Sequence, residues 1–197
     1  MLTKTQIKIM EVFVSKINER FSINEIADKL NKPYPLIHRS IKLLLGDKFL
    51  IKDTKGFLSL NIYENHPELA FIESVRKNEF LMKNKILYLF FNDVLKNLKK
   101  DFFILLVFGS SVENKSPRDM DILLIIEDKK DTDNIEKHIR NISSNFAVKF
   151  DINVIAIESV YEMLSKRESP NVMNESLNKH IILFGGENFY KILKNAR

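Results

Sequence analysis

The sequence contains no cysteine among its 197 residues. This absence excludes a disulfide framework, a thiol nucleophile and every zinc or iron–sulfur site that uses cysteine ligands. The four histidines form no HExxH or HxxxH pair, so we expect no histidine-rich metal site. No apolar run approaches ~18 residues, and the first residues lack the apolar segment of a signal peptide. We therefore expect a soluble, cytoplasmic protein without a membrane partner.

The composition that remains is that of a globular chain, with 45% hydrophobic and 29% charged residues. The length suits one or two domains. The net charge of +5 is unevenly distributed: residues 1–65 carry 11 basic and 7 acidic side chains, whereas residues 66–197 carry 20 and 19. A basic excess in the first third is expected if that part binds a polyanion such as DNA. The alternative is a solvated, lysine-rich surface.

Two pairs of residues near the N-terminus have the spacing of a capping box, Thr3 with Gln6 and Ser22 with Glu25. Apolar residues at helical spacing follow each pair. The pattern predicts an amphipathic helix over roughly residues 4–19 and a short second helix after Ser22 that ends before Pro33.

A third helix is predicted from Tyr34 to Gly46, and two short strands near 49–52 and 57–60 form a hairpin. Three helices followed by a hairpin resemble a winged helix-turn-helix domain over roughly residues 3–62. In that family the third helix enters the major groove of DNA. The alternative is a winged helix that contacts only protein. The DNA-binding candidates are Tyr34, His38, Arg39 and Lys42 on the third helix and Lys52 and Lys55 on the wing.

Residues 67–100 are almost free of turn residues and show apolar residues near helical spacing. We expect one long helix or two consecutive helices that belong to the core of the second domain. The predicted organisation is a winged helix-turn-helix domain at 1–62, a helical connector at 63–100 and a further domain at 101–197.

The second domain opens with a continuous apolar run, residues 102–108, that is typical of a buried strand and ends at Gly109-Ser110-Ser111. A second strand begins with Asp119 and Asp121, which project from one face because side chains alternate along a strand. Two carboxylates ~7 Å apart repel each other unless a positive charge lies between them. A third predicted strand, residues 146–155, carries Asp151 among apolar neighbours.

This order of residues resembles the polymerase β-like nucleotidyltransferase superfamily, and specifically its minimal, mostly prokaryotic members. Their pattern is an apolar strand, Gly-Ser, Asp-x-Asp at the start of the next strand, and a later third acid. Gly109, Ser110, Asp119, Asp121 and Asp151 occupy those positions, and the resemblance covers about residues 85–190. The expected fold class is therefore α+β, with a winged helix-turn-helix followed by a mixed-sheet nucleotidyltransferase domain.

The resemblance implies Mg²⁺-dependent (or Mn²⁺-dependent) transfer of a nucleoside monophosphate, most simply AMP from ATP among the NTPs, to an acceptor hydroxyl. Asp119, Asp121 and Asp151 would be the catalytic metal ligands, and Asp151 would also help to activate the acceptor. Minimal members often modify proteins, including HEPN-type toxins to which they act as antitoxins, so a toxin partner is implied. The nucleotide-binding candidates are Gly109, Ser110, Ser111 and Arg118.

Two departures from the family pattern bear on catalysis. The loop between Ser110 and Asp119 has only eight residues, which is shorter than usual in the family. Val112-Glu113-Asn114 stand where a basic residue and a glycine are common, and Arg118 replaces a common serine. Three alternatives remain open: a degenerate domain that binds nucleotide weakly, a DNA-binding regulator that senses nucleotide, and a transferase acting on nucleic-acid ends.

Overall fold

The structure is a computed structural model that describes residues 2–113, 119–166 and 170–196. The described residues form ten α-helices, a two-stranded antiparallel sheet and a four-stranded mixed sheet. The predicted α+β class and mixed sheet are confirmed. Among these residues no helix is both long and apolar enough to cross a bilayer.

The N-terminal segment, residues 2–62, contains three helices and a hairpin, as the sequence predicts. Both capping boxes are present: the backbone N–H of Thr3 donates to Gln6 Oε1 at 2.8 Å, and that of Ser22 donates to Glu25 Oε2 at 2.6 Å. The elements are α1 (Lys4–Ser15), α2 (Ile23–Leu30), α3 (Tyr34–Gly46), β1 (Leu50–Lys52) and β2 (Leu58–Leu60).

Helix α1 is shorter than the predicted span of 4–19. Ile17 continues the apolar spacing of the helix and is buried, but its backbone N–H donates to the carbonyl of Leu177 at 3.0 Å instead of continuing the helix. The spacing of apolar residues alone therefore predicts a longer helix than α1, which ends early because Ile17 makes a tertiary hydrogen bond instead.

The connector consists of two helices, α4 (His66–Lys83) and α5 (Lys85–Asn97), with Asn84 between them. The C-terminal part contains the mixed sheet, whose strand order is β5-β4-β3-β6. Strand β3 is antiparallel to both neighbours, and β4 is parallel to β5. The strands are β3 (Phe103–Phe108), β4 (Asp119–Ile126), β5 (Lys149–Ala156) and β6 (His180–Phe184). The remaining helices are α6 (Ser110–Glu113), α7 (Thr132–Ser143), α8 (Ile157–Ser165), α9 (Val172–Ser176) and α10 (Gly186–Asn195).

Apolar side chains cover both faces of the mixed sheet. Helices α5 and α7 pack on one face, against alternate residues such as Leu105 and Ile122. Helices α8, α9 and α10 pack on the opposite face, against Leu106 and Leu123. The second of these cores continues without interruption through Leu69 and Ile72 of α4 into the N-terminal segment. The sheet is therefore largely buried, and its solvent-accessible residues lie at the ends of strands and along one face of the edge strand β5.

Candidate functional site

The three predicted acids lie at one end of the mixed sheet. Asp121 is the direct neighbour of Asp151 across the parallel β4–β5 pair, and Asp119 is the neighbour of Lys149. Paired residues on adjacent strands lie about 5 Å apart and face the same side of the sheet. The three acids therefore lie on one face of the sheet. Further along β4, the same face carries Leu123, which is buried in the core.

Asp151 is exposed to solvent near the start of the edge strand β5. The sequence places this acid among apolar neighbours, where an isolated carboxylate is costly. The strand avoids this desolvation cost because its side chains alternate between the two faces. Phe150 and Ile152 are buried in the core, whereas Asp151 is exposed to solvent. Strand β5 also begins at Lys149, three residues later than predicted.

Gly109 follows the last residue of β3 and packs against the Asp121 carboxylate. Its φ of +66° lies in the left-handed region that favours glycine. A β-carbon at this position would lie 3.0 Å from Asp121 Oδ2 and 3.3 Å from Glu175 Oε1. The backbone N–H of Gly109 donates to the carbonyl of Lys179 at 3.0 Å, so this donor is already used within the protein. The left-handed φ favours glycine here, and a β-carbon would require the Asp121 and Glu175 carboxylates to shift by a few tenths of an ångström.

The two serines after Gly109 have different environments. Ser110 is exposed, whereas Ser111 is buried with its Oγ against the start of β4. The backbone N–H of Asp121 donates to Ser111 Oγ at 2.9 Å, and this hydroxyl lies 3.1 Å from Asp121 Oδ2 and 3.2 Å from the carbonyl of Asp119. Ser111 therefore orients Asp121, and Ser110 is the hydroxyl that is accessible to a ligand.

The electrostatics of the site centre on Asp121. Partial burial raises the pKa of its carboxyl above the usual range, and the charges of Asp119 and Asp151 raise this pKa further. The hydrogen bond with Ser111 acts in the opposite direction. The three acids are thus close enough to repel one another, and a cation placed among them would relieve that repulsion.

Two lysines flank the site. Lys149 Nζ lies 3.6 Å from Asp119 Oδ2, and Lys179 Nζ lies 3.0 Å from Glu113 Oε2, with all four side chains largely solvated. Arg118, the predicted contact for a triphosphate, lies outside the described residues. In the ranges 2–113, 119–166 and 170–196, no three histidine or acidic side chains are grouped closely enough to hold a metal ion.

The donor set at the site nevertheless suits a hard divalent cation. Asp119, Asp121 and Asp151 offer carboxylate oxygens, which are the ligands that Mg²⁺ and Mn²⁺ prefer. The clearance around Gly109 keeps one edge of the Asp121 carboxylate open where a larger residue would cover it. These three residues would hold such an ion only if their carboxylates moved closer together than they lie in this structure.

Glu175 is an acid of this site that sequence reasoning did not single out. It lies on α9, and its carboxylate reaches the Gly109 turn beside Asp121. The sequence contains no signal for this approach, because it depends on how α9 packs against the end of β3.

Sequence reasoning also did not anticipate a buried polar cluster close to the Gly109 turn. Glu73 Oε2 accepts from Arg76 Nη1 at 2.6 Å, and Glu73 Oε1 accepts from the hydroxyl of Tyr190 at 2.9 Å and lies 3.3 Å from His180 Nε2. His180 Nδ1 donates to the carbonyl of Ser176 at 2.6 Å. Despite burial, the Arg76 charge and the His180 hydrogen bond lower the pKa of Glu73.

This cluster fixes the junction between α9 and β6. Arg76 Nη2 also donates to the carbonyl of His180 at 2.7 Å, and the preceding residue, Lys179, accepts from the N–H of Gly109. A charged network on α4 thus holds the segment that carries Glu175 and supports the Gly109 turn.

The six predicted DNA contacts are all exposed. The rings of Tyr34 and His38 stack on the outer face of α3 with centroids 5.7 Å apart. The opposite face of α3 buries Ile37, Ile41 and Leu44. The solvent-facing candidates on this helix and the hairpin are Tyr34, His38, Arg39, Lys42, Lys52 and Lys55.

Comparison of the chain with protein-family models, with curated proteins and with solved structures gives no match.

Proposed function

We propose that this chain is a Mg²⁺-dependent nucleotidyltransferase that moves a nucleoside monophosphate, AMP from ATP, to an acceptor hydroxyl. The observation that carries the proposal is the register of β4 and β5, which sets Asp121 beside Asp151, with Asp119 on the same face and Gly109 against the Asp121 carboxylate.

In this proposal Asp119, Asp121 and Asp151 hold the divalent cation, which neutralises phosphate charge when it is bound. The acceptor oxygen attacks the α-phosphorus, the bond to the bridging oxygen breaks, and pyrophosphate leaves. Asp151, the most exposed of the three acids, accepts the proton of the acceptor hydroxyl. Ser111 keeps Asp121 oriented, and Ser110 faces the substrate.

We further propose that the N-terminal segment is a winged helix-turn-helix that binds DNA through α3 and the hairpin. The exposed cations Arg39, Lys42, Lys52 and Lys55 and the local basic excess support this assignment. The acceptor for nucleotide transfer is then a protein, of the kind that a HEPN-type toxin represents, and the DNA is an operator.

The deciding experiment incubates the protein with labelled ATP, Mg²⁺ and candidate acceptors and follows the intact mass of each acceptor. We expect a nucleotide adduct that requires metal and that Asp121→Asn abolishes. Asp101→Asn, which neutralises an exposed acid at the other end of β3, is the matched control and should leave transfer intact. Absence of any adduct with wild-type protein, across protein and nucleic-acid acceptors, would overturn the enzyme assignment.

A second candidate is a DNA-binding regulator whose C-terminal part only senses nucleotide. One observation favours it: α9 and the residues that follow it contact both the carboxylate site and the N-terminal segment. Glu175 lies at the Gly109 turn, while Leu177 accepts from the N–H of Ile17 and the Asn178 side chain accepts from the N–H of Asn18. The regulator predicts DNA affinity that changes with ATP and Mg²⁺ although no transfer occurs.

A further inference from the structure

Two backbone donors at the Gly109 turn are already used within the protein. The N–H of Gly109 donates to the carbonyl of Lys179 at 3.0 Å, and the N–H of Asp121 donates to Ser111 Oγ at 2.9 Å. Residues 112–114, which follow Ser111, contain no cation. A triphosphate that binds at this turn carries several negative charges, so it needs a cationic side chain from another part of the chain.

Lys179 brings a cation to this turn from a distant part of the sequence. It immediately precedes β6, which pairs with β3, and its carbonyl accepts from the N–H of Gly109. Its Nζ lies 3.0 Å from Oε2 of Glu113, the last residue of α6. The backbone and the side chain of Lys179 therefore both contact the short segment that begins at Gly109 and ends at Glu113, and its ammonium group lies beside the turn.

The ion pair between Lys179 and Glu113 is one that a phosphate group can displace. The two side chains are 45% and 53% exposed, and solvated pairs of this kind contribute little to stability. A phosphate group carries more charge than a carboxylate and offers more acceptor oxygens, so it competes well for an ammonium group. The lysine side chain has a flexible four-carbon stem, and it can therefore change partner while the backbone of Lys179 stays bound to Gly109.

We infer that Lys179 binds the β- and γ-phosphate groups of the nucleotide, and that Glu113 holds the ammonium group beside the turn before the nucleotide binds. This inference rests on the proposed function, because it takes ATP to be the ligand of the carboxylate site. When ATP binds, Lys179 leaves Glu113, donates to phosphate oxygens and neutralises part of the charge at the far end of the triphosphate.

The position of Lys149, the second lysine that flanks the site, suits a different contact. Its Nζ lies 3.6 Å from Asp119 Oδ2 on the edge strand β5. In the order β5-β4-β3-β6, strand β4 separates this lysine from the end of β3, whereas β6 is adjacent to β3. Of these two lysines, Lys179 is therefore the one that lies at the Gly109 turn.

Calorimetric titration of the full chain with ATP and with AMP, each in Mg²⁺, tests the inference. We expect Lys179→Ala to raise the Kd for ATP about tenfold and the Kd for AMP less than about twofold, because AMP lacks the phosphate groups that Lys179 binds. Lys179→Arg should largely restore the affinity for ATP, since a guanidinium also binds phosphate. Both variants keep the backbone carbonyl that accepts from Gly109, and circular dichroism checks that they fold.

Substitution of the other member of the ion pair should act in the opposite direction. Glu113→Gln should lower the Kd for ATP about two- to fivefold, because it frees Lys179 and removes a negative charge. A pair with a purely structural role predicts losses of ATP affinity from both sides. The matched control is the pair of Lys191 and Glu187 on α10, which is 53% and 45% exposed. Lys191→Ala and Glu187→Gln should leave the affinity for ATP unchanged.

The outcomes for Lys179 and for the proposed function are distinguishable. If ATP binding needs Mg²⁺ and Asp121 but Lys179→Ala behaves like Lys191→Ala, or if Glu113→Gln also weakens ATP binding, the role of Lys179 is overturned and the proposed function stands. If the wild-type protein binds no ATP, both are overturned. If Lys179→Ala weakens ATP binding in a protein that transfers no nucleotide, the role of Lys179 stands and the regulator replaces the enzyme.

Discussion

The carboxylate of Asp121 packs directly against Gly109, where a β-carbon would approach Asp121 Oδ2 to 3.0 Å. The glycine lies at the end of β3 and the acid at the start of β4, and they are brought together because Phe108 is the register partner of Asp121. The glycine that the sequence analysis names as a nucleotide-binding candidate is, in the structure, also the residue against which the Asp121 carboxylate packs.

We predict that Gly109→Ala lowers stability and disturbs the site. The left-handed φ alone costs about 1–2 kcal/mol for a residue with a β-carbon, and displacement of Asp121 adds to this cost. The measurement is the free energy of unfolding together with ATP affinity in Mg²⁺.

Two other glycines separate these contributions. Gly56→Ala has a φ of +91° but meets only the flexible Lys52 side chain, so it should show the conformational cost without a loss of ATP affinity. Gly46→Ala meets nothing within 4 Å and should be nearly neutral. A Gly109→Ala variant indistinguishable from Gly56→Ala in ATP affinity would contradict the role assigned to the contact with Asp121.

Asp121→Asn should stabilise the metal-free protein at neutral pH. The pKa of Asp121 is raised in the folded chain, so its contribution to stability is present at low pH and is lost as the pH rises through that pKa. Removing the charge should therefore increase the melting temperature in EDTA at pH 7, by the equivalent of about 0.2–1 kcal/mol for like charges on adjacent strands. The gain should shrink below about pH 3.5. Asp101→Asn should show no such gain.

Glu73→Gln should be strongly destabilising. It leaves the buried Arg76 guanidinium without its anion, a change that typically costs about 3–5 kcal/mol. The pKa of Glu73 is lowered in the folded chain, so its stabilising contribution is present above the pKa of an unfolded glutamate and is lost as the pH falls through the lowered pKa. Denaturant unfolding should show the largest difference at neutral pH and a smaller one below about pH 4.

Glu136→Gln is the control for the buried pair. Glu136 pairs with Arg140 on the exposed face of α7, and such pairs contribute about 0.5 kcal/mol or less. Equal losses for the two glutamate variants would mean that the Glu73 cluster contributes no more than a surface pair.

The DNA proposal predicts a steep dependence of affinity on salt. Replacing Arg39 and Lys42 together by alanine should weaken binding and reduce the slope of log affinity against log salt by roughly one unit per lost phosphate contact. Fluorescence anisotropy over a salt series measures both quantities. Lys77→Ala and Lys83→Ala together remove the same charge from α4 and serve as the control. An unchanged slope in the α3 variant would identify its charges as a solvated surface.

Local signals in the sequence account for most of the elements. The Thr3–Gln6 and Ser22–Glu25 pairs start helices as predicted, and the apolar run before Gly109 is a strand buried at every position. These features depend on neighbours a few residues apart, which spacing reveals. The common face of Asp119 and Asp121 follows from strand alternation in the same way.

Contacts between distant residues account for what sequence reasoning missed. Glu73 meets His180 and Tyr190 across more than 100 residues, and Glu175 reaches Gly109 only because α9 packs at the end of β3. The early end of α1 has the same origin, since the carbonyl that binds the Ile17 N–H belongs to Leu177. No periodicity or motif in the sequence predicts such long-range contacts.

The apolar core that runs from the N-terminal segment through α4 to the sheet has a consequence for how the molecule melts. Phe13, Leu69 and Leu106 belong to one connected cluster, so the N-terminal helices cannot separate from the sheet without exposing apolar surface on both sides. Opening one part weakens the other, and the described chain should lose its structure in a single cooperative transition. A fragment cut after β2 would carry a bare hydrophobic flank and should aggregate rather than behave as an isolated helical module.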